Sequence, residues 1–341
     1  TNLHNKIEKD IKIYLNEPKE VVALNSGTSA IHLALIQAGV KKDDCVIAQS
    51  FTFAATINPI VYLGAFPVFV DSEIDTWNMS PELLEEAIMD LISKDKKPKA
   101  IVVVDLYGMP AKLDEIQEIA KKYNIFLIED AAEALGAKYK GKKCGSFGDF
   151  GILSFNGNKI ITTSSGGALI CNTTQEKLHA VYLATQARDN SFYYQHSEIG
   201  YNYRMSTICA GIGRGQMEVL NQRIEARRRN FEFYKLELSS FKEVAFLKEP
   251  KGFHSNRWLT CIVFESNEIR EKVRLSLENE NIESRPFWKP MHTQPVFKDY
   301  RSFVNGVADN LSEKGLCLPS GSNLSEEDIT RIAAIIKKYI K

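Results

Sequence analysis

The sequence predicts an α/β protein with a mostly parallel central sheet and a smaller α+β domain at its C-terminal end. In the first half, short apolar runs alternate with segments of helical spacing, which is the pattern of parallel βαβ units. Near residue 215 this alternation gives way to a long charged segment with helical spacing. The 341 residues also exceed the roughly 250 to 300 at which a single core stops growing. We therefore expect a large domain over residues 1–219 and a small domain over residues 220–341.

The predicted strands of the large domain are apolar runs, most of them followed by polar residues: 46–48, 68–71, 100–105, 125–130, 151–155 and 168–171. Helical spacing predicts helices over residues 30–38, 81–92 and 113–123, the second with Ser80 as N-cap and Pro81 at its first position. Ligands of such sheets bind at the carboxyl ends of the strands, so the residues that follow strands are the candidates for a site.

The predicted small domain starts with a helix over residues 216–239. Strands are predicted over 258–264 and 282–287, and a closing helix over 329–340. The first helix carries four basic residues, which we interpret as a solvated face with ion pairs: Arg223, Arg227, Arg228 and Arg229.

Charge and cysteine content argue against several classes of protein. Lysine plus arginine equals aspartate plus glutamate at 43 each, so no net field draws the chain to nucleic acid or to an anionic membrane. The six cysteines are widely spaced and form no C-x-x-C, which suggests neither a zinc site nor a redox pair. No apolar run approaches the ~18 residues of a membrane span. We expect a cytoplasmic protein without a metal.

A small-residue turn, Asn25 to Ala30, immediately precedes an apolar helical pattern. Backbone N–H groups and hydroxyls at the positive end of a helix dipole suit a phosphate, although serine and threonine there also serve as plain caps. Phe51 and Phe53 follow the strand at 46–48, where an aromatic ring either stacks on a flat heteroaromatic ligand or joins the core.

Two carboxylates, Glu129 and Asp130, end a strand that is otherwise apolar, and Glu133 follows. A buried carboxylate needs a partner, which could be a metal, a pyridinium N–H or a helix N-terminus that Asp130 caps. A metal would require more ligands than this stretch supplies.

Lys159 lies in a polar turn after the apolar strand at 151–155. Desolvation in a cleft would lower the pKa of its amine and make it nucleophilic toward an aldehyde, while an ordinary surface lysine is the plain alternative.

Five motifs in this order resemble the DegT/DnrJ/EryC1/StrS sugar aminotransferases: the small-residue turn, T-F, E-D-A-A-E-A-x-G, S-F-N-G-N-K and G-Y-N-Y-R-M-S at residues 200–206. The resemblance spans residue 8 to the C-terminus. It implies fold type I of the pyridoxal-phosphate-dependent transferases, which is the aspartate aminotransferase-like fold, and pyridoxal 5'-phosphate as cofactor. Relatives also possess an N-terminal stretch before Thr1, which we expect to wall the sugar pocket.

The resemblance also implies a role for each matching residue. Lys159 would carry the cofactor covalently and act as the catalytic base, and Asp130 would pair with the pyridine nitrogen. Glu133 would lie near the ring hydroxyl, and Phe53 would stack on the ring. The phosphate would be bound by Thr28, Ser29 and Ser154, and by Asn202 of the neighbouring subunit in a homodimer with shared active sites. Arg204 and His292 would lie near the nucleotide-sugar, with a structural ion pair and a core histidine as the alternatives.

Further stretches, including 256–258, 283–294 and 317–321, are most similar to family members that aminate C4 of a UDP-linked 4-keto-6-deoxy-N-acetylhexosamine, with L-glutamate as donor. Three other activities fit these residues less well. Sugar dehydration at C3 uses histidine in place of Lys159, a cofactor-binding sensor usually carries a fused DNA-binding module, and a dehydrogenase would need a G-x-G-x-x-G after its first strand, which is not found.

Overall fold

The computed structural model describes residues 3–340, so the outermost residues of both predicted domains lie outside it. The helices are α1 (Leu3–Leu15), α2 (Gly27–Gln37), α3 (Asn58–Tyr62), α4 (Pro81–Ser93), α5 (Leu113–Tyr123), α6 (Thr174–Ala184), α7 (Thr207–Leu238), α8 (Asn267–Asn279), α9 (Val307–Lys314) and α10 (Glu326–Ile336). The strands are β1 (Glu20–Leu24), β2 (Cys45–Gln49), β3 (Phe66–Val70), β4 (Ala100–Val104), β5 (Phe126–Asp130), β6 (Lys138–Tyr139), β7 (Lys142–Lys143), β8 (Phe150–Ser154), β9 (Gly167–Cys171), β10 (Val244–Phe246), β11 (Phe253–His254), β12 (Thr260–Phe264), β13 (Arg285–Pro286), β14 (Ser302–Phe303) and β15 (Gly315–Leu318).

The large sheet has eight strands in the order β1-β9-β8-β5-β4-β2-β3-β14. Every neighbouring pair from β8 to β14 is parallel, and only β9 runs antiparallel to its neighbours β1 and β8. The segment 155–166 between β8 and β9 contains no α-helix, and a parallel connection needs such a crossover. The predicted α/β fold with a mostly parallel sheet is confirmed.

Helices cover both faces of this sheet because successive residues of its strands point in opposite directions. In β2, Val46 and Ala48 pack in one core with α2, whereas Ile47 packs in the other with α1, α4 and α5. Ser80 accepts a hydrogen bond from the backbone N–H of Leu83 and caps α4 as predicted. Buried strands of this kind place all their functional groups at their ends.

Helix α7 is longer than predicted, because it begins at Thr207 rather than at residue 216. Its first turns contain Gly211, Gly213 and Gly215, which mask a helical pattern. A Cβ at Gly213 would lie 3.2 Å from Ile7 Cδ1, so the glycine lets α7 approach α1 closely. The predicted boundary after residue 219 falls inside this helix and stays a prediction.

A second sheet, in the order β10-β12-β15-β13, is fully antiparallel and lies beyond residue 220. Of the strand predicted over 282–287, only Arg285–Pro286 pairs. The C-terminal region also returns a short strand, β14, to the edge of the large sheet. Within residues 3–340, each helix is either too short or too polar to cross a membrane.

Candidate active site

A cavity of about 340 Å³ lies where the ends of β5 and β8 meet the start of α2. Six of the ten predicted site residues line it: Thr28, Phe53, Asp130, Glu133, Ser154 and Lys159. The topology brings these residues together because β5 and β8 are adjacent parallel strands with their carboxyl ends at the same edge.

One end of the cavity is built around the N-terminus of α2. Ser26 caps the helix by accepting a hydrogen bond from the backbone N–H of Ser29 at 3.0 Å. Ser26 and Thr28 line the cavity, whereas Ser29 is buried behind them and donates its hydroxyl to Asn25 Oδ1 at 2.6 Å. A Cβ at Gly27 would lie 3.2 Å from Ser154 Cβ, so this glycine brings the turn onto β8. The helix dipole and these hydroxyls suit a phosphate.

Asp130, the last residue of β5, is buried and lines the cavity. Its Oδ2 accepts a hydrogen bond from Thr56 Oγ1 at 2.8 Å, and its Oδ1 accepts one from the backbone N–H of Ala132 at 3.2 Å. Burial raises the pKa of Asp130, and these two bonds together with the charge of Lys159 oppose the rise. A cation placed against Asp130 would hold it ionised. The sequence did not indicate Thr56.

Lys159 and Glu133 lie close together in the lining of the cavity. Lys159 Nζ lies 3.6 Å from Glu133 Oε1 and 4.2 Å from the centroid of the Trp258 ring. Burial raises the pKa of Glu133 to about 7, although the charge of Lys159 acts in the opposite direction. Lys159 is thus held in a cleft and is not an ordinary surface lysine.

The aromatic residues separate into core and cavity groups. Phe51 is fully buried in the core beside Tyr107, whereas Phe53 is 54% exposed at the cavity and its ring centroid lies 5.3 Å from that of Trp288. Trp258 and Trp288 complete the wall. Neither tryptophan was predicted, since both come from the distant C-terminal region.

Tyr107 supports this wall from behind. Its φ of 53° lies in the left-handed region, which is unusual for a bulky residue. Its backbone N–H donates to Glu133 Oε2 at 2.6 Å, and its hydroxyl accepts a hydrogen bond from the backbone N–H of Trp288 at 3.0 Å. The strained backbone therefore holds both a carboxylate and an aromatic wall residue in place, and no sequence motif marks it.

Besides Ser29, three predicted site residues lie outside the cavity lining. Arg204 pairs with Glu8 at 2.7 Å, which matches the structural ion pair named as its alternative. His292 Nδ1 lies 2.6 Å from Ser50 Oγ, and its Nε2 lies 3.3 Å from Asp309. Asn202 accepts a hydrogen bond from Asn25 at its backbone oxygen. Their roles at a substrate or in a neighbouring subunit stay predictions.

The donor set fits pyridoxal phosphate. A helix N-terminus with hydroxyls suits the phosphate, a buried carboxylate suits the ring nitrogen, and a lysine in the cleft suits the aldehyde. The fold and the site together define a pyridoxal-phosphate-dependent enzyme of fold type I.

Comparison with known proteins gives the family. The model of the DegT/DnrJ/EryC1/StrS aminotransferase family matches residues 2–337, and the chain belongs to this family. It is therefore a pyridoxal-phosphate-dependent sugar aminotransferase.

Three relatives illustrate the range of substrates in the family. The chain is 49% identical to EpsN of Bacillus subtilis (strain 168), named as a pyridoxal phosphate-dependent aminotransferase, over 93% of this chain and 83% of that protein. It is 38% identical to the GDP-perosamine synthase of Escherichia coli O157:H7, over 95% and 86%. It is 33% identical to the UDP-4-amino-4,6-dideoxy-N-acetyl-beta-L-altrosamine transaminase of Campylobacter jejuni, over 91% and 82%.

Solved structures agree with this assignment. A DegT DnrJ EryC1 StrS aminotransferase from Brucella abortus superposes with a TM-score of 0.93 at 32% identity, covering 99% of this chain and 90% of that one. The sugar aminotransferase Spr1654 from Streptococcus pneumoniae, in its PMP form, gives a TM-score of 0.90 at 25% identity, covering 99% and 92%.

Proposed function

We propose that this enzyme transfers the amino group of L-glutamate to C4 of a nucleotide-linked 4-keto-6-deoxy sugar. The substrate is UDP-2-acetamido-2,6-dideoxy-4-hexulose, and the product enters a bacillosamine-type glycan. The observation that carries the proposal is the placement of Lys159 with Asp130 and Glu133 in one buried cavity. A histidine at position 159 would have favoured sugar dehydration instead.

Each residue has a defined task. The bound cofactor supplies an aldehyde and an electron-withdrawing ring. Asp130 would hold a proton at the pyridine nitrogen, and Lys159 would act as the base that moves the substrate proton. Phe53 would cover the ring, while Thr28, Ser154 and the α2 N-terminus would hold the phosphate. Ser29 acts on the phosphate indirectly, through the cap.

Two observations bear on the nucleotide. The stretches at 283–294 and 317–321 favour UDP and an acetamido sugar, and the altrosamine transaminase is a UDP-sugar relative. The higher identity to GDP-perosamine synthase favours a GDP-linked substrate as the second candidate. A dTDP-linked substrate and a non-catalytic sensor are further alternatives.

The proposed homodimer with shared active sites rests on two features. Asn202 does not line the cavity of its own subunit, and the nearby segment exposes Phe192, Tyr193 and Tyr194. Mixing subunits tests this arrangement. Lys159→Ala chains, inactive alone, and Asn202→Ala chains, weakly active alone, should regain activity together if one intact site forms from two chains. Additive activity of the mixture would refute shared sites.

We also propose a cytoplasmic location. All six cysteines lie within the described residues as free thiols. Cys261 and Cys317 face each other across paired strands with their Sγ atoms 3.9 Å apart and are not bonded. Unbonded thiols at this separation suit a reducing compartment.

The deciding experiment follows the visible absorbance of the cofactor-loaded protein on addition of L-glutamate, and then the mass of the product from UDP-, GDP- and dTDP-linked 4-keto sugars. We expect the absorbance to fall with glutamate and amination to be fastest with the UDP-linked acetamido sugar. Lys159→Ala should abolish both, whereas the exposed Lys97→Ala should change neither. Faster amination of the GDP-linked sugar would establish the second candidate.

A further inference from the structure

A second cavity of about 680 Å³ adjoins the cofactor cavity. The two share Asn158, Trp258 and Trp288 as lining residues. Its other walls come from β13, from the segment after β15 and from α10. The volume is in the range of cavities that bind substrate-sized molecules, and its position lets a ligand reach Lys159 past Trp258.

Most charged groups of this second cavity have partners within the chain. Arg285 lies 2.6 Å from Glu283, Arg331 lies 3.3 Å from Glu280, and Asp328 accepts a hydrogen bond from the backbone N–H of Ser325 at 3.0 Å. These groups need no ligand to balance them.

Arg227 differs from these groups. Its guanidinium donates one hydrogen bond, to the backbone oxygen of Trp258 at 2.6 Å, while its Nε is buried without a partner. Among residues 3–340, no carboxylate lies within 4.0 Å of it. Burial, together with the nearby charge of Arg223, lowers its pKa to about 10. A partly buried cation without a counter-ion costs free energy.

The neighbouring arginine in this helix, Arg228, has a carboxylate partner. Arg228 makes two hydrogen bonds to Glu249, at 2.6 and 3.2 Å. The interpretation of the four arginines as a solvated face is therefore wrong for Arg227, which turns into the cavity.

We propose that Arg227 is an anion-binding residue of the substrate site, and that its guanidinium receives an oxyanion carried by the substrate. This inference rests on the proposed function, which supplies two such groups: a carboxylate of the amino donor and the diphosphate of the nucleotide-sugar. Arginine presents a planar fork of donors that matches either oxyanion. Trp258 links the site to the reacting centre, since Lys159 lies on its ring and Arg227 holds its carbonyl.

Direct binding tests the proposal without depending on turnover. Calorimetric titration of the pyridoxal-phosphate-loaded enzyme with 2-oxoglutarate, and separately with UDP, measures the two oxyanions. Arg227→Met should weaken at least one of them by about 10- to 100-fold, the range expected for lost charge-assisted hydrogen bonds. Arg223→Met, on the exposed side of the same helix, should leave both within about twofold.

The two arms separate the sources of the anion. If Arg227→Met weakens the affinity for 2-oxoglutarate alone, Arg227 binds the carboxylate of the amino donor. If it weakens the affinity for UDP alone, Arg227 binds the diphosphate, and if it weakens both, the two oxyanions share the site. Unchanged affinity for both ligands overturns the proposal. Absence of a glutamate-dependent absorbance change in the wild type would instead refute the proposed function, since the titrations do not require that change.

A rescue experiment excludes a merely structural role for the bond to Trp258. Arg227→Ala leaves space for a guanidinium ion, and millimolar guanidinium should restore binding of the affected ligand in this variant but leave Arg223→Ala unchanged. Arg227→Lys, which keeps the charge and loses the fork, should show an intermediate loss. Weak binding that neither guanidinium nor lysine improves would assign Arg227 to packing and overturn the proposal.

Discussion

Two pairs of carboxyl groups lie at the ends of the neighbouring strands β4 and β5. One pair is enclosed in the protein interior, and the other lines a cavity. Asp105 and Glu129 are fully buried in a sealed pair, with their oxygens and the Cys144 thiol within 4.8 Å of one another. Asp130 and Glu133 form the open pair, which lines the cofactor cavity with Lys159. Glu129 and Asp130 are adjacent in sequence and separate only because successive strand residues point to opposite faces.

The carboxylates of the sealed pair accept hydrogen bonds from backbone N–H groups around them. Glu129 accepts hydrogen bonds from the backbone N–H groups of Gly145 and Phe147, both at 2.6 Å. Asp105 Oδ1 accepts from the backbone N–H of Ala111 at 2.9 Å, whereas its Oδ2 has no donor. Burial and the charge of Glu129 raise the pKa of Asp105 well above its ordinary value. The raised pKa favours the protonated form of Asp105.

The open pair, in contrast, is left short of positive charge. Within residues 3–340, Asp130 accepts two hydrogen bonds, from Thr56 and Ala132, and the charge of Lys159 acts on both Asp130 and Glu133. A buried carboxylate satisfied by the backbone stabilises the fold, whereas one left short of positive charge is suited to receive a ligand.

The sealed pair should give the largest effect on stability. Glu129→Ala leaves the N–H groups of Gly145 and Phe147 unpaired and opens a cavity, which should lower the free energy of unfolding by about 3 to 5 kcal/mol. Urea denaturation measures it, with the exposed Glu118→Ala as control. A loss equal to that of the control would contradict the structural role, and Glu129→Gln offers a milder variant if the first fails to fold.

Glu133 should make stability depend on pH. The folded protein keeps its proton up to a pKa of about 7, whereas the unfolded chain releases it near 4.5. The folded state therefore binds more protons in this interval, and its stability falls as the pH rises, by up to about 3 kcal/mol. In cofactor-free protein, Glu133→Gln should remove this part of the slope. Parallel stability curves for wild type and variant would show that Glu133 titrates normally.

Asp130→Asn should separate activity from stability. The asparagine fits the same space but cannot hold a proton on the pyridine nitrogen, so we expect the transamination rate to fall by about 100-fold. The free energy of unfolding should change by less than about 1 kcal/mol. Rate and cofactor affinity are measured together, and an equal loss of both would indicate a role in binding alone.

Asp105→Asn should have the smallest effect. The raised pKa of Asp105 favours its neutral form. Asparagine is also neutral and keeps an acceptor for the backbone N–H of Ala111, so the free energy of unfolding should change by less than about 1 kcal/mol. Chemical denaturation at neutral pH measures it. A loss as large as that of Glu129→Ala would mean that Asp105 is ionised in the folded protein.

The sequence predicted the strands of the large sheet between residues 46 and 171 because strands buried on both faces are nearly uninterrupted apolar runs, and it missed the short strands β6 and β7. It also predicted the side chains that follow β5 and β8, since their motifs are continuous in the chain. It could not predict Thr56, Trp258 and Trp288, which reach the cavity from separate segments, nor the start of α7, which its glycines conceal. Arg227 and Arg228 look alike in sequence, and only the position of Glu249 distinguishes them.

The 32 residues of α7 form one uninterrupted rod of about 48 Å. Its first half packs against α1 beside the large sheet, and its second half packs against α10 beside the small one. Because α7 packs beside both sheets, the unfolding of either region would disrupt the helix that covers the other. The two regions should therefore melt in a single cooperative transition, and a chain cut near residue 220 would sever the element that both depend on.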